Sequence, residues 1–272
     1  MTLIVSADIG TPYGIELTHR LMRHVVAIYY EFRMNEQCHQ FVHTAFVFSV
    51  EGRWMLMTAG HCVTEINWIR DQGGVLTRCK LIDSMGEGAA YNHPVPFAYD
   101  EAYPMHIGRN EDIDYGVLIP PENTCQLLSA NNIVPFDEDA WDAEPDCVQN
   151  YFLLGFPAEL NRLQGNRVNI RASMFRVARY AERPEDFPET DAALYFYGRV
   201  IEQPLDNLKG CSGGPIVAMS YPDAEGTAKY HLVAMQVSTM GSDIKGMLMP
   251  PLGALVRTLV HGRGDQGRVP EG

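Results

Sequence analysis

The sequence lacks any apolar run of the roughly 18–20 residues that a membrane-spanning helix needs, so no membrane association is expected. It is also short of positive charge: 21 Lys and Arg stand against 34 Asp and Glu, a formal net charge of −13. Phosphate backbones are bound by basic surfaces, which excludes nucleic acid as a partner. No phosphate loop and no dinucleotide fingerprint occurs. Cys38-His39 with His43 has no second ligand pair at metal-site spacing, so neither a metal nor another cofactor is expected. Residues 1–8 show no basic stretch leading into a long apolar one, which a secretory signal requires. A cytoplasmic location is the expectation.

Hydrophobic residues make up 46% of the 272-residue chain, enough for a packed core. They come in short runs, at 24–32 (rich in β-branched and aromatic residues), 41–50, 54–58, 75–82, 115–119, 151–157, 168–180, 193–201, 215–220 and 230–239. That is the pattern of strands. Glu51-Gly52-Arg53 reads as a hairpin connection. A short helix is expected around 14–23 and a terminal helix over 251–261, the second through Leu252, Leu255, Val256 and Leu259 at helical spacing. Many short strands with a terminal helix indicate an all-β architecture. The chain divides into a lead-in (1–23), a first strand set (24–120), an acidic, Pro-rich and solvated linker (121–147), a second set (148–250), and a helix and tail (251–272). Residues 84–109 read as a long loop, and loops of that length are functional or disordered.

The most informative stretch is Leu208-Lys209-Gly210-Cys211-Ser212-Gly213-Gly214-Pro215. Glycines beside a serine permit backbone angles closed to other residues and a close approach to a ligand. Such a serine can present its hydroxyl to a carbonyl carbon, while the peptide N–H groups of Gly210 and Ser212 converge on the oxyanion that forms. A plain glycine-rich turn would carry the same Ser-Gly-Gly. Two upstream segments weigh against it: Thr58-Ala59-Gly60-His61-Cys62, and Asp112-Ile113-Asp114-Tyr115-Gly116-Val117-Leu118.

In order and spacing, these three segments resemble the chymotrypsin/trypsin-like serine proteases, from about Val25 to the end of the chain. The resemblance implies two six-stranded antiparallel β-barrels with a carboxy-terminal helix. The first barrel would carry the histidine and aspartate of a triad, and the second its serine. It implies His61 as general base, Ser212 as nucleophile, and Gly210 and Ser212 as the oxyanion hole. Asp114-Tyr115-Gly116-Val117-Leu118 fits the family's pattern for the third member better than the same frame begun at Asp112, so Asp114 is preferred and Asp112 stays open. Cys211 is out of frame for a nucleophile. Asp206, six residues before Ser212, stands where trypsin-like enzymes place the acid of the primary pocket, which implies cleavage after Arg or Lys; an ordinary surface Asp-Asn turn is the other reading of Asp206-Asn207. The expected pocket wall runs over 237–241.

Departures from the family are informative too. The cysteine partner expected about sixteen residues before Cys62 is Phe46, and the one expected four before Ser212 is Leu208. Two usual bridges therefore lack a partner, and reduced thiols in a cytoplasmic protein follow. Cys211 replaces the aspartate that pairs with a newly cut amino terminus, so no activation by amino-terminal cleavage is expected. Gating by a regulatory partner protein, a ligand or the 84–109 loop would take its place. The expected activity is that of an endopeptidase acting on a protein or peptide substrate. The alternative is a scaffold protein that binds a partner without cleaving it, and intact His61, Asp114, Ser212 and Gly210 speak against that.

Overall fold

The computed structural model describes residues 4–5, 12–83, 90–91, 93–99, 106–109, 113–143, 148–164, 167–189, 192–201, 205–220 and 229–264. Asp112, Cys147, the turn at 223–226, the tail beyond Gly264 and parts of the 84–109 loop lie outside them. In chain order the strands are β1 (Ile4–Val5), β2 (Val25–Met34), β3 (Gln37–Val50), β4 (Arg53–Thr58), β5 (Val75–Asp83), β6 (Val95–Pro96), β7 (His106–Arg109), β8 (Asp114–Leu118), β9 (Val148–Gly155), β10 (Arg162–Gln164), β11 (Arg167–Asn169), β12 (Ser173–Arg179), β13 (Tyr195–Val200), β14 (Pro215–Ser220), β15 (Tyr230–Met240) and β16 (Asp243–Leu248). The helices are α1 (Pro12–Met22), α2 (Gly60–Asp71), α3 (Glu122–Ala130) and α4 (Met249–Gly264).

Two sheets result. The first runs β6-β5-β2-β3-β4-β8-β7, all antiparallel. The second runs β12-β13-β16-β15-β14-β9, and pairing of β9 with β12 closes it into a six-stranded barrel. β1 adds to β12 in parallel. The first sheet thus holds seven strands where six were expected, the extra one being the two-residue β6.

Alternation explains why strands such as β2 are buried on both faces. Side chains of a strand point alternately to opposite sides. Val26, Ile28, Tyr30 and Phe32 join a cluster of first-sheet and α2 residues, whereas Val25, Ala27 and Tyr29 join a second cluster. That second cluster also takes Phe152, Leu154, Met235, Val237 and Met247 from the second sheet, and so bonds the two halves. Leu153, Phe175, Phe196, Ile216 and Ile244 form a third cluster within the second sheet.

The segment read as a solvated linker is largely structured. Pro120-Pro121 leads into α3, in keeping with the preference of proline for helix starts. Phe136 and Trp141 are fully buried in the shared cluster. Residues 168–180, expected as one strand, are split between β11 and β12, and β16 lies where no strand is expected. α4 begins two residues ahead of the expected helix, with Pro250 and Pro251 in its first turn.

His24 ties the halves together at one point. Its Nδ1 lies 2.9 Å from the Val134 carbonyl, and its Nε2 lies 2.9 Å from the Tyr230 hydroxyl on β15. The ring stacks on Phe136 at 3.9 Å. Burial, helped by Arg23 and Arg20 and opposed by the Val134 bond, lowers its pKa to about 4. A depressed folded pKa gives stability that is present above the unfolded value of 6.5 and lost as pH falls toward 4. The shift corresponds to about 3 kcal/mol. Replacing His24 by Gln is expected to flatten the fall of the melting temperature between pH 6.5 and 4; an unchanged slope would contradict this.

Candidate active site

The site lies where the two sheets meet. β4 ends at Thr58, and the chain turns through Ala59 into α2, so His61 stands in the first turn of that helix. β8 pairs with β4 and opens on Asp114, which places its carboxylate beside the start of α2. One oxygen, Oδ1, accepts the His61 backbone N–H at 2.8 Å; the other, Oδ2, accepts the Nδ1 proton at 2.7 Å. Two bonds from one carboxylate fix both the ring and the turn that carries it. The Asp114 backbone N–H points at the Met247 sulfur on β16, 3.3 Å away, so the second sheet buttresses this carboxylate strand.

The sequence left Asp112 open as the carboxylate. Asp114 is the one in contact with His61, and Asp112 lies outside the described residues. Burial works against the charged form of His61, but the Asp114 bond and the adjacent Cys62 outweigh it and raise its pKa well above the ordinary imidazole value.

Ser212 sits in the turn that precedes β14, on the other half of the molecule. Gly210 and Gly213 take positive φ, +91° and +86°, angles at which other residues are strained. A Cβ on Gly213 would also lie 2.2 Å from Thr58 Oγ1 and 2.4 Å from the Thr44 carbonyl. This loop can press against β3 and β4 because it has no side chain there. The peptide N–H groups of Gly210 and Ser212 have no partner among the described residues. Their orientation follows from the carbonyls on the same peptide planes, since C=O and N–H of a trans peptide point in opposite directions. The Lys209 carbonyl accepts from Ala158 N–H at 2.7 Å, and the Cys211 carbonyl accepts from Gly214 N–H at 2.8 Å.

A cavity of about 850 Å³ opens here, lined by His61, Gly210 and Ser212 and by Tyr29, Phe41, Val42, His43, Glu65, Trp68, Ala158, Asn161 and Lys209 among others. His61 and Ser212, from different halves, thus share one cavity. Cys62 Sγ lies 3.8 Å from the Ser212 carbonyl, and the ring that meets this thiol from β3 is His43, not the Phe46 counted back from the sequence. Phe46 instead packs in the shared core. His43 Nε2 pairs with Glu65 Oε2 at 2.9 Å. Burial opposes the His43 charge, while Cys62 and Glu65 favour it and bring its pKa up to about 9. Glu65 has no place in the sequence expectations, and His43 enters them only beside Cys38-His39 as a rejected metal-ligand group. The available signal was that Glu65 follows His61 by four residues, hence on the same helix face.

Asp206 is a correction. The expectation put it at the base of a buried pocket, but it is exposed, its backbone N–H bonded to Glu159 Oε2 at 3.1 Å, and it is not among the residues that line the cavity. The physical reason is local: the apolar Leu208 takes the inward position of this turn and is buried, while Asp206 and Asn207 are exposed. Cys211 is fully buried and its thiol pKa is pushed up to about 12 by burial, so it is neutral. None of the described cysteines is in a disulfide. The described residues hold no cluster of three or more His, Cys, Asp or Glu suited to a metal, and no helix among them is long and apolar enough to cross a membrane.

No protein-family model matches the sequence, and no curated protein matches it. Solved structures do. A thermostable serine protease, AL20, from an extremophilic microorganism is similar with a TM-score of 0.50 at 12% identity, over 88% of this chain and 97% of that one. The active form of the Rv3671c protease from M. tuberculosis gives 0.47 at 16% identity, over 94% and 89%. The protease Anisep from Arthrobacter nicotinovorans gives 0.47 at 16%, over 84% and 90%. The likeness to AL20 together with the strand order shows the chymotrypsin-like fold: two antiparallel β-sheets, one a closed barrel, and a carboxy-terminal helix.

Proposed function

We propose that this protein is a serine endopeptidase that hydrolyses a protein or peptide substrate through Ser212, His61 and Asp114. The observation that carries the reading is the His61–Asp114 pair facing, across one cavity, a serine loop with two unpaired N–H groups. Ser212 Oγ attacks the scissile carbonyl and His61 Nε2 takes its proton. The oxyanion is held by the N–H groups of Gly210 and Ser212. His61 then gives the proton to the leaving amine, and water repeats the sequence on the acyl-enzyme. Asp114 keeps the Nδ1 proton in place and stabilises the imidazolium.

The test is a panel of fluorogenic peptides varied at the residue before the scissile bond, with Ser212→Ala as the control. Cleavage that disappears in the variant supports the reading. Because Asp206 is exposed, no pocket role is assigned to it; a preference for Arg or Lys abolished by Asp206→Asn would restore one. The pH profile is a second check. His61 must be neutral to act as a base, and its pKa is raised. So kcat/KM is expected to climb with pH through a midpoint above 6.5. Asp114→Asn and Cys62→Ala, which remove the groups that favour the imidazolium, are expected to move the midpoint down. A midpoint at or below 6.5 in the unmodified protein would contradict this account of the site.

A further inference from the structure

Nucleophile and base come from different halves of the molecule, so something must register one half against the other. Productive geometry tolerates little error, about 1 Å of misplacement costing on the order of 100-fold in rate. One buried side chain spans the gap. Thr44, on β3, is fully buried. Its hydroxyl donates to the Gly210 carbonyl at 2.6 Å and accepts the Phe156 N–H at 2.9 Å. Its own carbonyl accepts the Thr58 hydroxyl at 2.7 Å, and Thr58 is the last residue of the strand leading to His61.

These bonds reach three places at once: the loop of Ser212, the end of β9 that supports that loop, and the strand that delivers the base. A hydroxyl has one proton and accepts through its lone pairs; here the proton goes to Gly210 and a lone pair to Phe156. The arrangement is therefore determined, with no alternative rotor that keeps both bonds. The bond also fixes the middle peptide of the oxyanion loop. Ala158 and Gly214 hold the carbonyls of the peptides on either side, and Thr44 holds the one between them.

The geometry points to Thr44 as a positioning residue that locks the oxyanion loop onto the half carrying His61, in place of any charged anchor beneath the loop. The residue under that loop, Cys211, is buried and apolar in its surroundings. The inference rests on the serine-protease reading.

The experiment compares the unmodified protein with Thr44→Val, Thr44→Ala and Thr44→Ser. It reads peptide-substrate kcat and KM, the affinity of a peptide boronic acid that mimics the tetrahedral intermediate, and the melting temperature. Thr44→Val and Thr44→Ala are expected to lower kcat about 10- to 100-fold with KM little changed, and to weaken boronic acid binding by a similar factor. Thr44→Ser, which keeps the hydroxyl, is expected to stay within about threefold of the unmodified protein. Thr44→Ala loses the hydroxyl without adding bulk and decides the matter if Thr44→Val does not fold. If neither folds, Thr44→Ser decides: a loss of boronic acid affinity in that variant overturns the role.

Activity and boronic acid affinity retained without the hydroxyl would overturn the proposal, as would a fall in kcat without a matching fall in that affinity. Unmodified protein that takes no fluorophosphonate label at Ser212 would remove the protease reading itself. A labelled protein with an indifferent Thr44 removes only this role.

Discussion

Replacing Ser212 by Ala, or His61 by Ala, is expected to lower kcat about a millionfold, and removing both together to lower it no further. The non-additivity is the diagnostic part. Ser212 without a base is an ordinary alcohol, and His61 without a nucleophile has no proton to move, so either loss removes the same step. Asp114→Asn is expected to cost less, about 10⁴-fold, because the geometry survives while the favoured tautomer is lost. The 2.7 Å contact of Asp114 Oδ2 with Nδ1, and of Oδ1 with the His61 backbone, makes that ordering specific. An asparagine can keep the backbone bond through its carbonyl oxygen, but its amide faces the ring as a donor. Steady-state kinetics on the four variants test it; losses that multiply in the double variant would mean that the two residues act in separate steps.

The second large effect concerns stability. Trp141→Ala is expected to destabilise the fold by about 3–5 kcal/mol, the cost of emptying a buried aromatic site. That is a large part of the roughly 5–15 kcal/mol that holds a domain together. Trp141 is fully buried, its Nε1 donates to the Ser49 carbonyl at 3.3 Å, and its ring meets Phe48 edge-on at 6.1 Å. On its other side lies α4. A Cβ on Gly253 would come within 2.0 Å of the indole, and the Arg257 guanidinium stands 4.8 Å above the ring. Arg257 also bonds Asp142 and Glu138, each at 2.9 Å. The tryptophan is therefore the point at which β3, the connecting segment and the carboxy-terminal helix meet. Thermal melts are expected to show a drop on the order of 10 °C, with Trp141→Phe in between. A drop of only about one degree would mean that the connecting segment is as loosely held as its composition suggests.

That composition conceals the structure of the segment. Pro120, Pro121 and an acidic run look like solvated chain, and nothing local reveals that Arg257, more than a hundred residues later, pairs with two of those acids. Trp141 was a signal, since a tryptophan in an acidic stretch needs somewhere to go. β16 was missed for a related reason. Asp243-Ile244-Lys245-Gly246 offers two charges and a glycine and only one large apolar residue, and only tertiary packing makes sense of them. The Lys245 Nζ lies 3.7 Å above the Tyr195 ring, and Gly246 faces Ile216, where a Cβ would be 2.7 Å away.

By contrast, the strands before His61 and after Ser212 were legible, because short continuous apolar runs bounded by turn glycines are a local signal. The site itself divides along the same line. His61 and Ser212 stand in short motifs, and Asp114 opens an apolar strand. Thr44 does not belong to any motif; its signal is a hydroxyl on the same face of β3 as Phe46 and Phe48, a face otherwise given to the shared core. Asp206 shows the converse. Position relative to Ser212 suggested a pocket, but the path of the loop depends on Leu208 and Glu159, which distance along the chain does not report.

The most direct measurement is labelling of the unmodified protein with a fluorophosphonate, followed by mass spectrometry of its peptides. One phosphonate is expected on the peptide that contains Ser212, absent after Ser212→Ala and formed faster as pH rises through the His61 titration. No adduct, or an adduct on another residue that persists in Ser212→Ala, would contradict it.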